Sequence, residues 1–181
     1  GLRIYEGYGA TEAAPVIALA TPASFRRGSV GRVLPGLDHQ LEPVEGISKG
    51  GILHIRGPNL MSGYYRYANP GVIEAPRSCV GEGWYATGDV VEVDAEGFVT
   101  ISGRVKRFAK IAGEMISLDV IEQVARKTSR DHHHASILWE QDSSGESTVL
   151  FTTDPNLNRA QLADAARALG THDLSVARRI V

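Results

Sequence analysis

The sequence predicts a β-rich, barrel-like subdomain over residues 1–103 and a small α+β domain over residues 104–181. Glycines interrupt the first part at short intervals, and the runs between them are β-branched or alternate apolar with polar residues. Short strands between turn residues are typical of all-β subdomains. After residue 103 the pattern changes to apolar stripes at helical spacing, mixed with strand-like runs. This change marks the predicted boundary.

In the first part we expect strands at 2–5, 51–57, 90–93 and 98–101. Residues 94–97, Asp-Ala-Glu-Gly, suit a type I turn that leaves through a left-handed glycine. The last two strands should therefore form a hairpin.

In the second part an apolar stripe predicts a helix over 118–127, with Ser117 as its N-cap and Asp119 in its first turn. Strands are expected over 135–139 and 148–153, separated by a polar loop at 141–147. A second helix is expected over 159–169, between a cap at Asn158 or one of its neighbours and a stop at Gly170.

Composition excludes several classes of function. The chain of 181 residues is 43% hydrophobic and 22% charged, as in ordinary globular proteins. Its formal net charge of −2 gives no overall attraction to nucleic acid, so we expect no nucleic-acid partner. The longest apolar stretch, 13–20, contains Pro15 and is too short to span a membrane.

Cysteine and histidine usage gives no sign of a metal site. Cys79 is the single cysteine, which excludes an intrachain disulfide and a multi-cysteine zinc site, and we expect a free thiol in a loop. His132, His133 and His134 are adjacent, so their side chains point in different directions and predict a surface loop rather than a coordination sphere.

Three glycine-containing motifs combine residue types that can carry chemistry: GYGATE at 7–12, WYATGD at 84–89 and GRVKRFAKIAG at 103–113. Glycine lets a ligand approach the backbone, and hydroxyl and carboxylate oxygens can contact phosphate or a metal ion. Taken singly, each motif has an ordinary alternative: a strand-to-helix turn, a common Thr-Gly-Asp turn and a solvated basic face.

In their order and spacing, the three motifs resemble the AMP-forming adenylate ligases, which include acyl-CoA synthetases, peptide-synthetase adenylation domains and luciferases. The resemblance covers nearly the whole chain and implies a fragment of an adenylate-forming enzyme that uses ATP and Mg²⁺. It implies that ATP or AMP is bound by Tyr8, Gly9, Thr11, Asp89 and Arg104. In that scheme Tyr8 packs on adenine, Thr11 contacts phosphate, and the Asp89 carboxylate accepts hydrogen bonds from the two ribose hydroxyls.

The resemblance implies further roles. Glu12 becomes the Mg²⁺ ligand, and Thr11, Glu12 and Lys110 become the catalytic residues. Lys106 becomes the hinge between the two domains, and Gly113 lines a tunnel for pantetheine.

Within the superfamily, GYGATEAAPV, KRFAKIAGEMISL and LFTTD resemble the bacterial acyl-[acyl carrier protein] synthetases that are fused to a 2-acylglycerophosphoethanolamine acyltransferase. This implies a fatty acid substrate, acyl carrier protein as thiol acceptor, and a lysophospholipid acceptor in the parent. It also implies a bacterial cytoplasmic enzyme associated with the inner membrane. A CoA-using synthetase and a non-catalytic β-rich binding module remain as alternatives.

Basic residues fit an acidic carrier protein. Arg104, Lys106, Arg107 and Lys110 carry four positive charges before Glu114, and either a docking face or a solvated face accounts for them.

Two motifs of the superfamily do not occur in the sequence: the phosphate loop ending in Pro-Lys and the late Gly-Lys. We expect the first before Gly1 and the second after Val181, and the acyltransferase part elsewhere in the parent. The chain alone is therefore expected to be inactive.

Overall fold

The computed structural model describes residues 2–141 and 145–181. It divides into two compact units, Gly1–Val105 and Lys106–Val181, each with its own apolar core. The domain ranges 1–103 and 104–181 stay a prediction for the whole protein, with a boundary two residues from this division. Within the described residues, no helix has both the length and the apolar character that crossing a membrane requires.

The first unit is built from strands in antiparallel sheets. The strands are β1 Gly7–Gly9, β2 Val16–Leu19, β3 Arg32–Val33, β4 Asp38–Glu42, β5 Gly51–Arg56, β6 Tyr64–Tyr65, β7 Ile73–Glu74, β8 Tyr85–Val93 and β9 Val99–Arg104. The first three form one sheet in the order β1-β2-β3. A second sheet has the order β4-β5-β8-β9, and β6 pairs with β7.

The core of this unit lies against one face of the four-stranded sheet. Leu53 and Ile55 of β5 are fully buried there, together with Val91 of β8 and Val99 of β9. Ile17 of β2 completes the contact from the three-stranded sheet. Because alternate residues of a strand face opposite sides, His54 lies on the other face of β5.

The second unit is α+β. β10 (Phe108–Ile111) and β11 (Glu114–Ser117) form a hairpin that leads directly into α1 (Leu118–Thr128). β12 (His134–Gln141) pairs antiparallel with β13 (Gly145–Thr152), and after α2 (Arg159–Leu169) the short β14 (Arg179–Ile180) pairs parallel with β13. The two helices bury their apolar stripes together with Leu150 of β13.

Most sequence predictions of fold are confirmed. The β-rich first part, the α+β second part, both helices and the 94–97 turn are present, and Gly97 has the expected positive φ of 81°. The strands at 135–139 and 148–153 are longer than predicted, since Gln141 pairs with Gly145; the rest of the predicted loop, 142–144, lies outside the described residues.

The predicted strand at 2–5 is wrong. No strand is found there, and β1 begins at Gly7 instead. Leu2 and Ile4 are 99% and 81% exposed, so their alternation has no apolar surface to pack against. A period-2 pattern indicates a strand only where one face can be buried.

The two helix caps differ in their hydrogen bonds. Asn158 Oδ1 accepts from the Gln161 N–H at 3.1 Å, and Gln161 Oε1 accepts from the Asn158 N–H at 2.9 Å, which completes a capping box. Ser117 has the expected extended N-cap backbone, but its buried Oγ has no hydrogen-bond partner. Ser117 also ends β11, where it pairs with Phe108, and its side chain makes no cap hydrogen bond.

This difference predicts unequal stability changes at two equivalent cap positions. Asn158→Ala should lower the free energy of unfolding by about 1 kcal/mol, because a cap hydrogen bond is lost. Ser117→Ala should not lower it, because the buried hydroxyl has no hydrogen-bond partner and its desolvation is a cost that alanine removes. Urea denaturation followed by helical circular dichroism measures both, since α1 and α2 lie in the second unit. Equal losses for the two variants would contradict the assignment.

Candidate functional site

Three segments far apart in the sequence meet at the Asp89 carboxylate, in the first unit. Tyr8 on β1 donates its hydroxyl hydrogen to Asp89 Oδ2 at 2.6 Å, and both side chains are buried. Arg104, at the end of β9, lies opposite Asp89 in the strand register and brings Nε within 2.9 Å of Oδ1. The structure thus brings together Tyr8, Asp89 and Arg104, one from each sequence motif.

The backbone around Asp89 explains the Thr-Gly-Asp pattern. Thr87 Oγ1 donates to the Leu53 carbonyl of β5 at 2.9 Å and accepts from the Asp89 N–H at 3.1 Å. Gly88 between them has a φ of 75°, which favours glycine. Thr87 and Gly88 therefore fix the position of the Asp89 side chain.

Tyr8 is a hydrogen-bond donor at ordinary pH. Burial, and after it the hydrogen bond to Asp89, raise the pKa of Tyr8 well above its usual range. Its ring packs in the core with Ile17 and Val91. The phenol therefore stays neutral, and its O–H donates a hydrogen bond to the Asp89 carboxylate.

A second acidic group lies in the same unit. Glu12, in the 3-10 turn Thr11–Ala13, accepts from the Tyr64 hydroxyl at 3.0 Å. Its backbone N–H first of all, then the hydroxyls of Tyr64 and Tyr85 and the charge of Arg104, lower the pKa of Glu12 against the opposing effect of burial. Burial and the neighbouring Glu12 raise the pKa of Tyr85. Glu12 is therefore ionised, and two neutral phenols surround it.

An open groove of about 370 Å³ follows the first motif, with Tyr8, Gly9 and Thr11 in its wall. Gly9 has a reason of its own to be glycine, since a Cβ there would lie 1.8 Å from the Pro15 carbonyl oxygen. The close approach of β1 and β2 thus accounts for Gly9 without a ligand.

The remaining site residues of the sequence analysis belong to the second unit. Lys106 lies in the 3-10 turn Val105–Arg107, and Lys110 lies on β10; both are exposed. Gly113 follows Ala112 in the two-residue β10–β11 turn, with φ values of 88° and 52°. Two positive φ angles are typical of a type I′ hairpin, so the turn itself requires a residue such as Gly113.

The predicted basic face is partly used for internal ion pairs. Arg107 Nε donates to Asp119 at 2.9 Å, and its Nη2 donates to Glu122 at 2.7 Å, so its charge is offset by α1. Glu122 chiefly, and Asp119 after it, raise the pKa of Arg107. Arg104 is likewise paired with Asp89.

Two of the three adjacent histidines contact Ser129 through different atoms, and His134 is the first residue of β12, so the predicted surface loop covers only 132 and 133. His132 Nδ1 lies 2.9 Å from Ser129 Oγ, His134 Nε2 lies 2.7 Å from the Ser129 carbonyl, and His133 is exposed. Among the described residues, none of the three takes part in a group that could hold a metal ion.

Sequence reasoning missed Tyr64 and Thr87. Thr87 stands inside the second motif, and its place before Gly88 was the available signal. Tyr64 lies outside all three motifs, on the short β6, and nothing in the sequence linked it to Glu12.

The chain is similar to AMP-binding enzymes. Residues 1–65 match the family described as AMP-binding enzyme. A long-chain-fatty-acid–CoA ligase of Yersinia pestis is 30% identical over 175 residues, which cover 92% of this chain and 30% of that protein. An anthranilate–CoA ligase of Pseudomonas aeruginosa is 34% identical over 128 residues, covering 68% of this chain and 24% of that protein.

The fold also matches a solved structure. An O-succinylbenzoate coenzyme A synthetase from Bacillus subtilis, in complex with ATP and magnesium ion, matches with a TM-score of 0.75 at 22% identity, covering 97% of this chain and 37% of that one. This confirms the predicted fold, a β-rich subdomain followed by a small α+β domain. The chain spans about 30% of the length of the curated relative from Yersinia pestis.

The Tyr8 hydroxyl should matter for stability because it satisfies a buried carboxylate. Tyr8→Phe removes only the hydroxyl, and with it the hydrogen bond to Asp89. The free energy of unfolding should fall by about 2 kcal/mol, which is typical for a hydrogen bond to a charged group. Tyr67→Phe is the control, since Tyr67 is fully exposed. Urea denaturation in a Trp139→Phe background, where Trp84 in the first unit is the one tryptophan left, measures both by fluorescence; equal midpoints would contradict the role of the hydroxyl.

The Tyr64 hydroxyl should hold down the pKa of Glu12. Tyr64→Phe should raise this pKa toward its usual value, and only partly, because the backbone and Tyr85 hydrogen bonds remain. A lowered folded pKa stabilises the protein above the unfolded pKa, and this stabilisation is lost as pH falls through the folded pKa. The variant should therefore be less stable than the wild type at neutral pH. This difference in the free energy of unfolding should disappear in acid, where Glu12 is protonated in both proteins.

An NMR titration of the Glu12 carboxyl measures the shift. Tyr65→Phe is the matched control, because Tyr65 is the neighbouring residue and is 73% exposed. An unchanged Glu12 pKa in Tyr64→Phe would rule out this interaction.

Proposed function

The match of residues 1–65 supports membership of the AMP-binding enzyme family, and from this premise we propose that the chain is part of an ATP-dependent, AMP-forming acyl ligase. In the proposed reaction a fatty acid carboxylate oxygen forms a bond to the α-phosphorus of ATP. The bond from that phosphorus to the β-phosphate bridging oxygen breaks, and pyrophosphate leaves. The sulfur of a phosphopantetheine thiol then forms a bond to the acyl carbonyl carbon. The bond from that carbon to the phosphate oxygen breaks, AMP leaves, and the thiol proton passes to the solvent.

The observation that carries the proposal is the Asp89 carboxylate, held by Tyr8 and Arg104. A carboxylate can accept hydrogen bonds from two vicinal hydroxyls, which suits a ribose. Thr87 and Gly88 fix its backbone, so its position does not depend on a ligand. The Arg104 guanidinium is 72% exposed beyond its contact to Asp89 and can donate to a ribose or phosphate oxygen.

Glu12 and Thr11 suit a magnesium ion by their donor type. Mg²⁺ prefers oxygen ligands, and Glu12 is kept ionised by its hydrogen bonds while Thr11 is exposed in the same turn. When bound with ATP, the ion would neutralise phosphate charge. The role of this chain is then to position: the attacking fatty acid is already deprotonated, so the reaction needs no protein base.

Lys106 is proposed as the hinge between the two domains. Arg104 is paired with Asp89 in the first unit, and Arg107 is paired with Asp119 and Glu122 in the second. Only Val105 and Lys106 lie between these two ion-paired arginines. Lys110 as a catalytic residue and Gly113 as a wall of the pantetheine tunnel rest on the family resemblance, since the hairpin turn already accounts for Gly113.

The thiol acceptor is proposed to be acyl carrier protein, with coenzyme A as the second candidate. Both end in the same phosphopantetheine thiol. The observation that favours coenzyme A is the similarity to ligases named for it. Reacylation of a lysophospholipid at the inner membrane would follow from the carrier-protein alternative alone.

Replacement of Asp89 tests the adenylation site. In the full-length enzyme that contains this chain, Asp89→Asn should lower kcat/KM for ATP in fatty-acid-dependent pyrophosphate exchange by about 100-fold, because a hydrogen-bonding site for the ribose loses its charge. Asp38→Asn is the matched control, since Asp38 is also paired with an arginine, Arg56, at the surface of the same unit.

Equal rates in Asp89→Asn and the wild type would remove Asp89 from the site, and exchange absent with every fatty acid would favour the non-catalytic binding module. Thioester formation from preformed acyl-AMP, with carrier protein and coenzyme A in parallel, then separates the two acceptors.

A further inference from the structure

Three side chains with different donor atoms meet on the face of the four-stranded sheet opposite the core. They are Glu42 of β4, His54 of β5 and Cys79 of the segment between β7 and β8. Their ligand atoms, a carboxylate oxygen, an imidazole nitrogen and a sulfur, all lie within 4.8 Å of one another. None of the three belongs to the Tyr8, Asp89 and Arg104 cluster.

The strand register brings the first two together. Gln40 lies directly opposite His54, so Glu42, two residues further along β4, points to the same side of the sheet. His54 is 1% exposed, whereas Glu42 is half-exposed and Cys79 is exposed. The group thus has a rigid buried member and two members that solvent can reach.

Glu42 and Cys79 both lie beside one atom of His54, and Cys79 also forms a hydrogen bond with Glu42. Nε2 lies 2.9 Å from Glu42 Oε2 and 4.0 Å from Cys79 Sγ. In a tetrahedral zinc site with the usual bond lengths, ligand atoms are separated by about 3.3 to 3.7 Å. Movements of less than about 1 Å, mostly by the exposed Cys79, would therefore suffice.

The other imidazole nitrogen has a partner that suits a metal ligand. Nδ1 lies 2.7 Å from Ser78 Oγ, which also accepts from the Val80 N–H at 3.0 Å and is thereby held in place. Without a metal, Nε2–H donates to the Glu42 carboxylate. When a metal binds Nε2, the ring hydrogen is on Nδ1 and the serine oxygen accepts it, which leaves the Nε2 lone pair for the metal. Such a hydrogen bond to the second ring nitrogen is usual for histidine ligands of metals.

We propose that Glu42, His54 and Cys79 bind a zinc ion, with water in the fourth position. The donor set decides the metal: thiolate and imidazole favour zinc, whereas magnesium and calcium prefer oxygen ligands alone. Binding replaces the thiol hydrogen of Cys79 by the metal and releases one proton to the buffer. The ion joins the segment before β8 to β4 and β5, and so stabilises the strand that carries Asp89.

Cobalt(II) is a spectroscopic probe of this site. Because Cys79 is the only cysteine in the sequence, a thiolate-to-cobalt charge-transfer band can come from no other residue. The wild-type chain should show this band at one equivalent of cobalt and lose it when zinc is added. Cys79→Ser should abolish the band, and Glu42→Gln should weaken zinc binding by about 10- to 100-fold.

His39→Ala is the control for adventitious binding, since His39 is an exposed histidine on the neighbouring β4, opposite Ile55. It should leave both the band and the zinc affinity unchanged. Cobalt bound without a charge-transfer band would mean that the metal lies elsewhere, for example at 132–134, and would overturn the proposal.

Alkylation of Cys79 in the wild-type chain is a test that needs no variant. Saturating zinc should slow alkylation by at least about 10-fold, because the lone pair that attacks the reagent is bound to the metal. Zinc should also raise the thermal midpoint of the wild type and not that of Cys79→Ser. Unchanged alkylation, or an equal thermal shift in both proteins, would refute the site.

Discussion

The first unit depends on one buried charge. The Asp89 carboxylate is 6% exposed, and an unpaired carboxylate at such a position would cost several kcal/mol. Tyr8 and Arg104 each satisfy one of its oxygens, so the start of the chain, β8 and the end of β9 must all be folded before the charge is accommodated. The Tyr8 ring lies in the apolar core, which aims the hydroxyl at Asp89. Core packing and the geometry of the candidate site are therefore parts of one arrangement.

Local rules predicted the elements that local forces determine. The helix at 159–169 has its N-cap, its apolar stripe and its terminating glycine all within residues 158–170. The 94–97 turn is likewise fixed by its own residues. The failed strand at 2–5 shows the limit, since its alternation was correct but no apolar surface covers it. Contacts across long stretches of sequence lie beyond such rules: Tyr8 and Asp89 are 81 residues apart, and Tyr64 reaches Glu12 from a two-residue strand. The family resemblance linked Tyr8 and Asp89 to one ligand, whereas their direct hydrogen bond needed coordinates.

Glycine within a motif is weak evidence for a ligand. The resemblance implied ligand roles for both Gly9 and Gly113. In the structure a Cβ at Gly9 would collide with the Pro15 carbonyl, and Gly113 completes a type I′ turn after Ala112, so each glycine has a sufficient backbone reason. Cys79 shows that a possible metal site can also be overlooked. A single cysteine excludes a multi-cysteine site, but the fold brings Cys79 beside His54 and Glu42, which offer other kinds of ligand atom. Counting one residue type excludes only the sites that use that type alone.

The position of the proposed hinge has an electrostatic explanation. A hinge must absorb a change in φ and ψ without breaking contacts inside either moving body. Arg104 is bound to Asp89 and Arg107 is bound to Asp119 and Glu122, each within its own compact unit, so rotation about Val105 and Lys106 would leave every one of these ion pairs intact. A rotation located one residue further along the chain would change the backbone angles of Arg107. It would then strain the hydrogen bonds from Arg107 to Asp119 and Glu122 of α1. The two ion-paired arginines thus leave Val105 and the exposed Lys106 as the residues about which the proposed hinge would rotate.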